Sequence, residues 1–149
     1  MSEFRHDPLS RRWVIIGGER NGRPNEFVEA ATRDSGISCP FCAGHETETP
    51  PAIASYGANG KGTWLARVVP NKYPAVASCP VPEKQTAGGI NGHPASLPGF
   101  GAHEVIIESP RHVASLSELT DAELKAVFTA YRDRLTQLKA QRLYRYVQI

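Results

Sequence analysis

Cys39-Pro40-Phe41-Cys42, with His112 closing the distant run Glu108-Ser109-Pro110-Arg111-His112, is the stretch from which the rest of this chain can be read. Two thiolates separated by two residues grip a tetrahedral metal from one side, and a remote imidazole then ties that knuckle to another part of the fold. The spacing predicts zinc. A redox dithiol would place Cys39 at a helix N-terminus, where the dipole lowers a thiol pKa, but Ala43-Gly44 follow without any helical period. His45 offers a nearer third donor in a Cys-x-x-Cys-x-x-His cluster. A ligand so close in sequence strains its loop, and structural zinc usually joins separate segments, so His112 is favoured over His45. His93, in Asn91-Gly92-His93-Pro94, is a third candidate, though a lone histidine in a loop is ordinarily only solvated.

With 149 residues and 40% hydrophobic content, the chain is sized for one domain with a core of its own. No stretch approaches the ~20 apolar residues of a membrane span, and the N-terminus lacks a signal-peptide core, so a cytoplasmic protein is expected. Seventeen basic residues against fifteen acidic ones give a net charge of +2. That is too slight and too evenly spread for a nucleic-acid or membrane surface, and it leaves a small anionic substrate open. Three cysteines suit no disulfide framework. Reduced thiols fit better, with Cys79 a bystander between Ser78 and Pro80.

The β-rich run 12–16 predicts a strand ended by Gly17-Gly18, and a polar loop follows to residue 38. Within it, Arg20-Asn21-Gly22-Arg23-Pro24 carries two guanidinium groups. Solvated charge is their ordinary reading, and a bidentate phosphate clamp is the functional one. A second strand is expected over 64–69, with Trp64, Ala66 and Val68 on one face and Leu65, Arg67 and Val69 on the other. Pro70-Asn71-Lys72-Tyr73-Pro74 makes a rigid exit in which Asn71 closes a turn or offers its amide to a base or ribose. Residues 75–101 read as loop, a flap or a segment ordered by a partner. A third strand over 103–108 sets Val105 and Ile107 against Glu104, Ile106 and Glu108, and places His112 just beyond its end. Thr120-Asp121-Ala122-Glu123 is a capping box before Leu124, Val127, Phe128, Tyr131, Leu135 and Leu138 at helical spacing. Residues 144–149 alternate and predict a fourth strand.

In this order, Phe4-Arg5-His6-Asp7-Pro8 with Arg12-Trp13-Val14, the arginine pair, the cysteine pair, Pro70 to Pro74 and Gly101 to His112 resemble the N-terminal half of galactose-1-phosphate uridylyltransferases. ADP-sugar phosphorylases share nearly all of these motifs. The resemblance covers the whole chain and implies an α+β fold, a histidine-triad-like half with an antiparallel sheet and a packed amphipathic helix. It makes 1–149 the N-terminal part of such a domain, ending before the catalytic strand. It further implies transfer of UMP between UDP-glucose and galactose 1-phosphate through a nucleotidyl-histidine, the second histidine of a His-x-His-x-Gln motif, with ping-pong kinetics. Cys39, Cys42 and His112 would then hold zinc, with the first histidine of that motif as fourth ligand. Arg20 and Arg23 would grip the nucleotide phosphates from the partner subunit of a homodimer, and Asn71 would contact the nucleoside. No His-x-His pair occurs in the 149 residues. The nucleophile is therefore expected beyond residue 149, the chain alone inactive, and the fourth zinc position left to water, His45 or another chain. An ADP-sugar phosphorylase or adenylyltransferase and a non-catalytic zinc-binding module are the other readings.

Overall fold

Thr120 begins the longest described element. Its hydroxyl accepts the Glu123 backbone N–H, and the Glu123 carboxylate accepts the Thr120 backbone N–H at 2.8 Å, the reciprocal cap that the Thr-x-x-Glu pattern predicts. The helix so started, α1, spans Asp121–Ala140. Its buried residues are Glu123, Ala126, Val127, Ala130 and Arg134. The apolar spacing predicted a face centred further round: Phe128 is 57% exposed, while Leu124 and Tyr131 are only partly covered at the edge of the core. Ala126 and Ala130 are the reason, because small side chains let the helix backbone approach a sheet closely. The two buried polar residues are tolerated because each faces an opposite charge, Glu123 with Arg111 at 2.8 Å and Arg134 with Glu104 at 2.6 Å.

The computed structural model describes residues 2–17, 39–57, 64–78 and 96–149. They divide between two compact units, Ala31–Lys72 with Glu104–Ile149, and Met1–Ala30 with Tyr73–His103. In the first unit, β3 (Ala54–Tyr56), β4 (Ala66–Pro70) and β6 (Glu104–Ile107) form an antiparallel sheet in the order β3-β4-β6. Strand β4 is covered on both faces. Ala66 and Val68 pack with Leu119, Ala126, Val127 and Ala130, whereas Val69 packs with Trp64 and Ile107.

The alternation predicted from Trp64 onward breaks at its start. Trp64 joins the Val69 cluster and Leu65 the Ala66 and Val68 cluster, because both precede the ladder, which begins at Ala66 and is led into only by the Leu65 N–H bond to the Tyr56 carbonyl at 2.8 Å. The Trp64 indole N–H donates to Glu46 Oε1 at 2.8 Å. The buried Arg67 guanidinium lies 5.1 Å from the Trp64 ring centre, and its Nε and Nη2 have no hydrogen-bond partner among the described residues. In β6 the expected alternation holds, with Ile106 in the helix-side cluster and Val105 and Ile107 in the other. Glu104 and Glu108 reach α1 through Arg134 and Tyr131.

In the second unit, β1 (Ser2–Asp7), β2 (Arg12–Gly17) and β5 (Ser96–Pro98) form an antiparallel sheet in the order β2-β1-β5. Asp7 shapes the hairpin turn by accepting the Leu9 backbone N–H at 2.9 Å and the Ser10 hydroxyl at 2.6 Å. Across β1 and β2, His6 faces Trp13 with ring centres 5.2 Å apart. Strand β5 and a bridge between Ala77 and Phe100 lie inside the stretch that the sequence predicts to be loop.

The strand predicted over 144–149 does not form. Those residues join no ladder, and Tyr146 and Ile149 are 76% and 63% exposed. Among the described residues no strand pairs with them, and without a partner strand β-propensity counts for little. No helix among the described residues is long and apolar enough to cross a membrane.

Candidate metal centre

The chain leaves β6 through Ser109-Pro110, and there it is stitched to the cysteine knuckle: the Pro110 carbonyl accepts the Ala43 backbone N–H at 2.8 Å. The knuckle itself is a tight turn. Cys42 N–H donates to the Cys39 carbonyl at 3.1 Å, His45 N–H to the Cys42 carbonyl at 3.3 Å, and Gly44 N–H to Glu46 Oε2 at 3.0 Å. Gly44 has φ +91, a conformation that residues with a Cβ rarely adopt.

These bonds bring ligand atoms of Cys39, Cys42 and His112 within 4.8 Å of one another. The Nδ1 atom of His112 stands 3.8 Å from Cys42 Sγ. Bonds of ~2.3 Å to sulfur and ~2.0 Å to nitrogen at a tetrahedral angle set those two atoms about 3.5 Å apart. The Cys42–His112 spacing therefore suits a shared ion, and the three ligand atoms are close enough to converge on one. Two sulfurs and an imidazole nitrogen form a soft donor set of the kind zinc takes. Burial, and then the neighbouring Cys39, push the Cys42 thiol above its ordinary value. Two adjacent thiolates repel, and a cation between them reverses that preference. A shallow cavity of about 280 Å³ borders the cluster, with Phe41, Ile107 and His112 in its lining.

Among the described residues, His112 and not His45 stands at the sulfurs; His45 Nδ1 lies 2.7 Å from Glu48 Oε1 instead. Asn71 is half-buried directly after β4. Arg20, Arg23, Cys79 and His93 lie outside the described residues.

The ion pair between Arg111 and Glu123 is not legible in the sequence. Arg111 donates from Nε and Nη2 to the Glu123 carboxylate, so the residue before His112 is anchored to the start of α1. Arg111, and after it the bonds from Thr120, hold the Glu123 carboxyl down at about 2. A Glu at the third helical position signals only a cap, and nothing local in the sequence announces its ion pair with Arg111.

The sequence model described as "Galactose-1-phosphate uridyl transferase, N-terminal domain" matches residues 1–149. The chain belongs to this family. It is 33% identical over 150 residues to an ADP-glucose phosphorylase of Arabidopsis thaliana, covering 99% of the present chain and 42% of that protein. A crystal structure of an ADP-glucose phosphorylase from Arabidopsis thaliana with bound ADP-glucose matches with a TM-score of 0.51 and 31% identity, over 93% of this chain and 38% of that one. A uridylyltransferase structure matches with a TM-score of 0.55 at 23% identity, over 93% and 36% of the two chains, and supports the fold alone. The chain thus spans under half the length of these relatives. Its α+β architecture of antiparallel sheets and a packed helix is the fold that the resemblance implies. The family is one of nucleotidyltransferase-like and phosphorylase-like enzymes.

Proposed function

We propose that this chain carries the metal knuckle and the nucleotide grip of a nucleotidyltransferase acting on a nucleotide sugar. The convergence of Cys39, Cys42 and His112, in a chain that matches the family along its whole length, is the observation that supports this reading. Cys39 Sγ, Cys42 Sγ and His112 Nδ1 would hold zinc, whose part there is to crosslink the knuckle to the segment after β6. A fourth donor would come from outside this group. Arg20 and Arg23 grip the phosphates across a homodimer, and the Asn71 amide binds the nucleoside. In the complete protein, a downstream histidine nitrogen attacks the nucleotide's α-phosphorus as the bond to the sugar-phosphate oxygen breaks. A second phosphate nucleophile then takes the nucleotidyl group and frees the histidine.

The likeness above 30% to an ADP-glucose phosphorylase supports ADP-glucose with inorganic phosphate as the substrate pair. The family description supports UDP-glucose with galactose 1-phosphate as the second reading. Offering both pairs to the complete protein separates them by product, ADP and glucose 1-phosphate in one case, UDP-galactose in the other. Turnover of neither pair by metal-loaded protein would overturn the proposal. Replacing Arg20 and Arg23 together by Ala should weaken nucleotide-sugar binding and leave zinc content unchanged. Cys39→Ser should instead remove the zinc, measured by metal analysis of the purified protein.

A further inference from the structure

The residue before His112 is fixed twice over. Its backbone N–H donates to Ser109 Oγ at 3.0 Å, and its guanidinium is held in a fork by Glu123: Nε to Oε1 at 3.1 Å, Nη2 to Oε1 at 3.0 Å and Nη2 to Oε2 at 2.8 Å. The same Oε2 accepts the Thr120 backbone N–H at 2.8 Å and the Thr120 hydroxyl at 2.9 Å. One carboxylate therefore closes the cap of α1 and holds the arm that leads to His112.

Helix capping alone does not call for this arginine. A Thr-x-x-Glu box is complete without it, and a cation beside a helix N-terminus opposes the helix dipole. The Arg111 side chain is 53% exposed, so covering apolar surface does not account for the fork either. What the fork does fix is the course of the chain at residues 109–112, which sets the direction in which the next imidazole projects. The Ala43 bond to Pro110 holds the other partner of the cluster against this same stretch.

We infer that the Arg111–Glu123 pair is a positioning device for His112, coupling the cap of α1 to the metal centre. The inference rests on the reading of Cys39, Cys42 and His112 as metal ligands. A group bonded directly to a ligating imidazole contributes on the order of 10- to 100-fold in metal affinity; this pair acts on the backbone beside His112 instead, so its share should be about 10-fold or less. By linkage, an ion bound at the cluster stabilises the α1 cap in return.

Cobalt(II) titration of the complete protein, followed by its thiolate-to-metal absorption, tests the coupling beside urea unfolding of the same variants. Arg111→Met and Glu123→Gln should each weaken cobalt binding several-fold, up to about 10-fold, while keeping the absorption band. Glutamine still serves a capping box, so E123Q loses the charge pair rather than the cap. Thr120→Ala is the control: it removes the Thr120 hydroxyl bonds and costs stability through the cap, but the Arg111–Glu123 fork remains, so the affinity should fall by less than in the Arg111 and Glu123 variants. Arg111→Lys should recover only part of the loss, because an ammonium cannot reproduce the planar fork. If Arg111→Met unfolds, Arg111→Gln supplies the same comparison. Affinities in the Arg111 and Glu123 variants equal to that of Thr120→Ala would overturn the positioning role alone. A wild-type protein that gives no thiolate–cobalt band would overturn the metal centre on which it rests.

Discussion

Strands β2 and β4 are both short, apolar and rich in β-formers, yet they end in opposite environments. In β2, Trp13, Val14, Ile15 and Ile16 are 42%, 46%, 48% and 37% exposed. In β4, Ala66 and Val68 are fully buried and Val69 is 1% exposed. The difference does not lie in the strands. Helix α1 covers one face of β4, and the cluster of Trp64, Val69 and Ile107 covers the other, whereas no helix lies in the unit that holds β2 among the described residues. Covering elements, more than strand propensity, decide how much apolar burial a sheet gains.

The largest effect expected from this contrast is at Val127, which is fully buried between α1 and β4. Val127→Asp places a carboxylate there without a partner and should destabilise the chain by at least about 3 kcal/mol. The matching change on the open sheet, Val14→Asp, should cost about 1 kcal/mol or less, mostly through lost β-propensity. Urea unfolding followed by circular dichroism measures both. Equal costs would mean that β2 is as well covered as β4, and would break the comparison.

The next effect is acid sensitivity, and it too should fall on the helical unit. The Glu123 carboxyl is held at about 2 against an ordinary 4.5, so the folded form takes up its proton less readily than the unfolded chain. Its stabilising contribution is then complete above about pH 4.5 and is lost as the pH falls toward about 2. In metal-free protein, Glu123→Gln should be less stable than wild type at neutral pH and should converge with it as the solution is acidified through that window. Glu46 is lowered in the same sense, first by the Trp64 indole, and adds to the slope. On the open sheet, Glu3 is lowered chiefly by Ser96 and Asp7 by Ser10; like Glu46 both are half-buried, and each adds a smaller share than Glu123. Stability curves that stay parallel between wild type and Glu123→Gln would show that the fork carries none of the acid dependence.

The same contrast explains which features were legible. The cap of α1 was readable because Thr120 and Glu123 settle it within one turn, and the β6 alternation because its faces differ in polarity over four residues. The cysteine spacing likewise announced a knuckle before any contact was known. The buried face of α1 was misplaced because Glu123 and Arg134 are buried by partners distant in sequence, Arg111 and Glu104, and because two alanines give a weak apolar signal. Strand β3 has three residues and β5 three, the latter ending in Pro98, so neither offers a period to detect. Strand β1 alternates among charged residues, and its pairing with β2 becomes visible only once the Asp7 turn is formed. Residues 144–149 show the reverse error, a strand pattern with no strand beside it among the described residues.

The smallest effects are expected at two positive-φ positions, one in each unit, and they should differ in sign. Gly44 in the knuckle has φ +91, and a Cβ added there would meet nothing within 4 Å. Any cost of Gly44→Ala is therefore conformational, about 1–2 kcal/mol for forcing an L side chain into that region. Arg11, in the β1–β2 turn, already has φ +54 with a side chain present and exposed. Arg11→Gly removes that strain but adds ~0.5–1 kcal/mol of chain entropy in the unfolded state, so the net change should be a gain of up to about 1.5 kcal/mol. Thermal melting of the two variants beside wild type reads the signs directly. A loss at Arg11 would mean that its side chain packs usefully in the turn and that the open sheet is better supported than its exposure indicates. A neutral Gly44→Ala would mean that the knuckle bends to accommodate the change, which a turn held by the Ala43–Pro110 bond should resist.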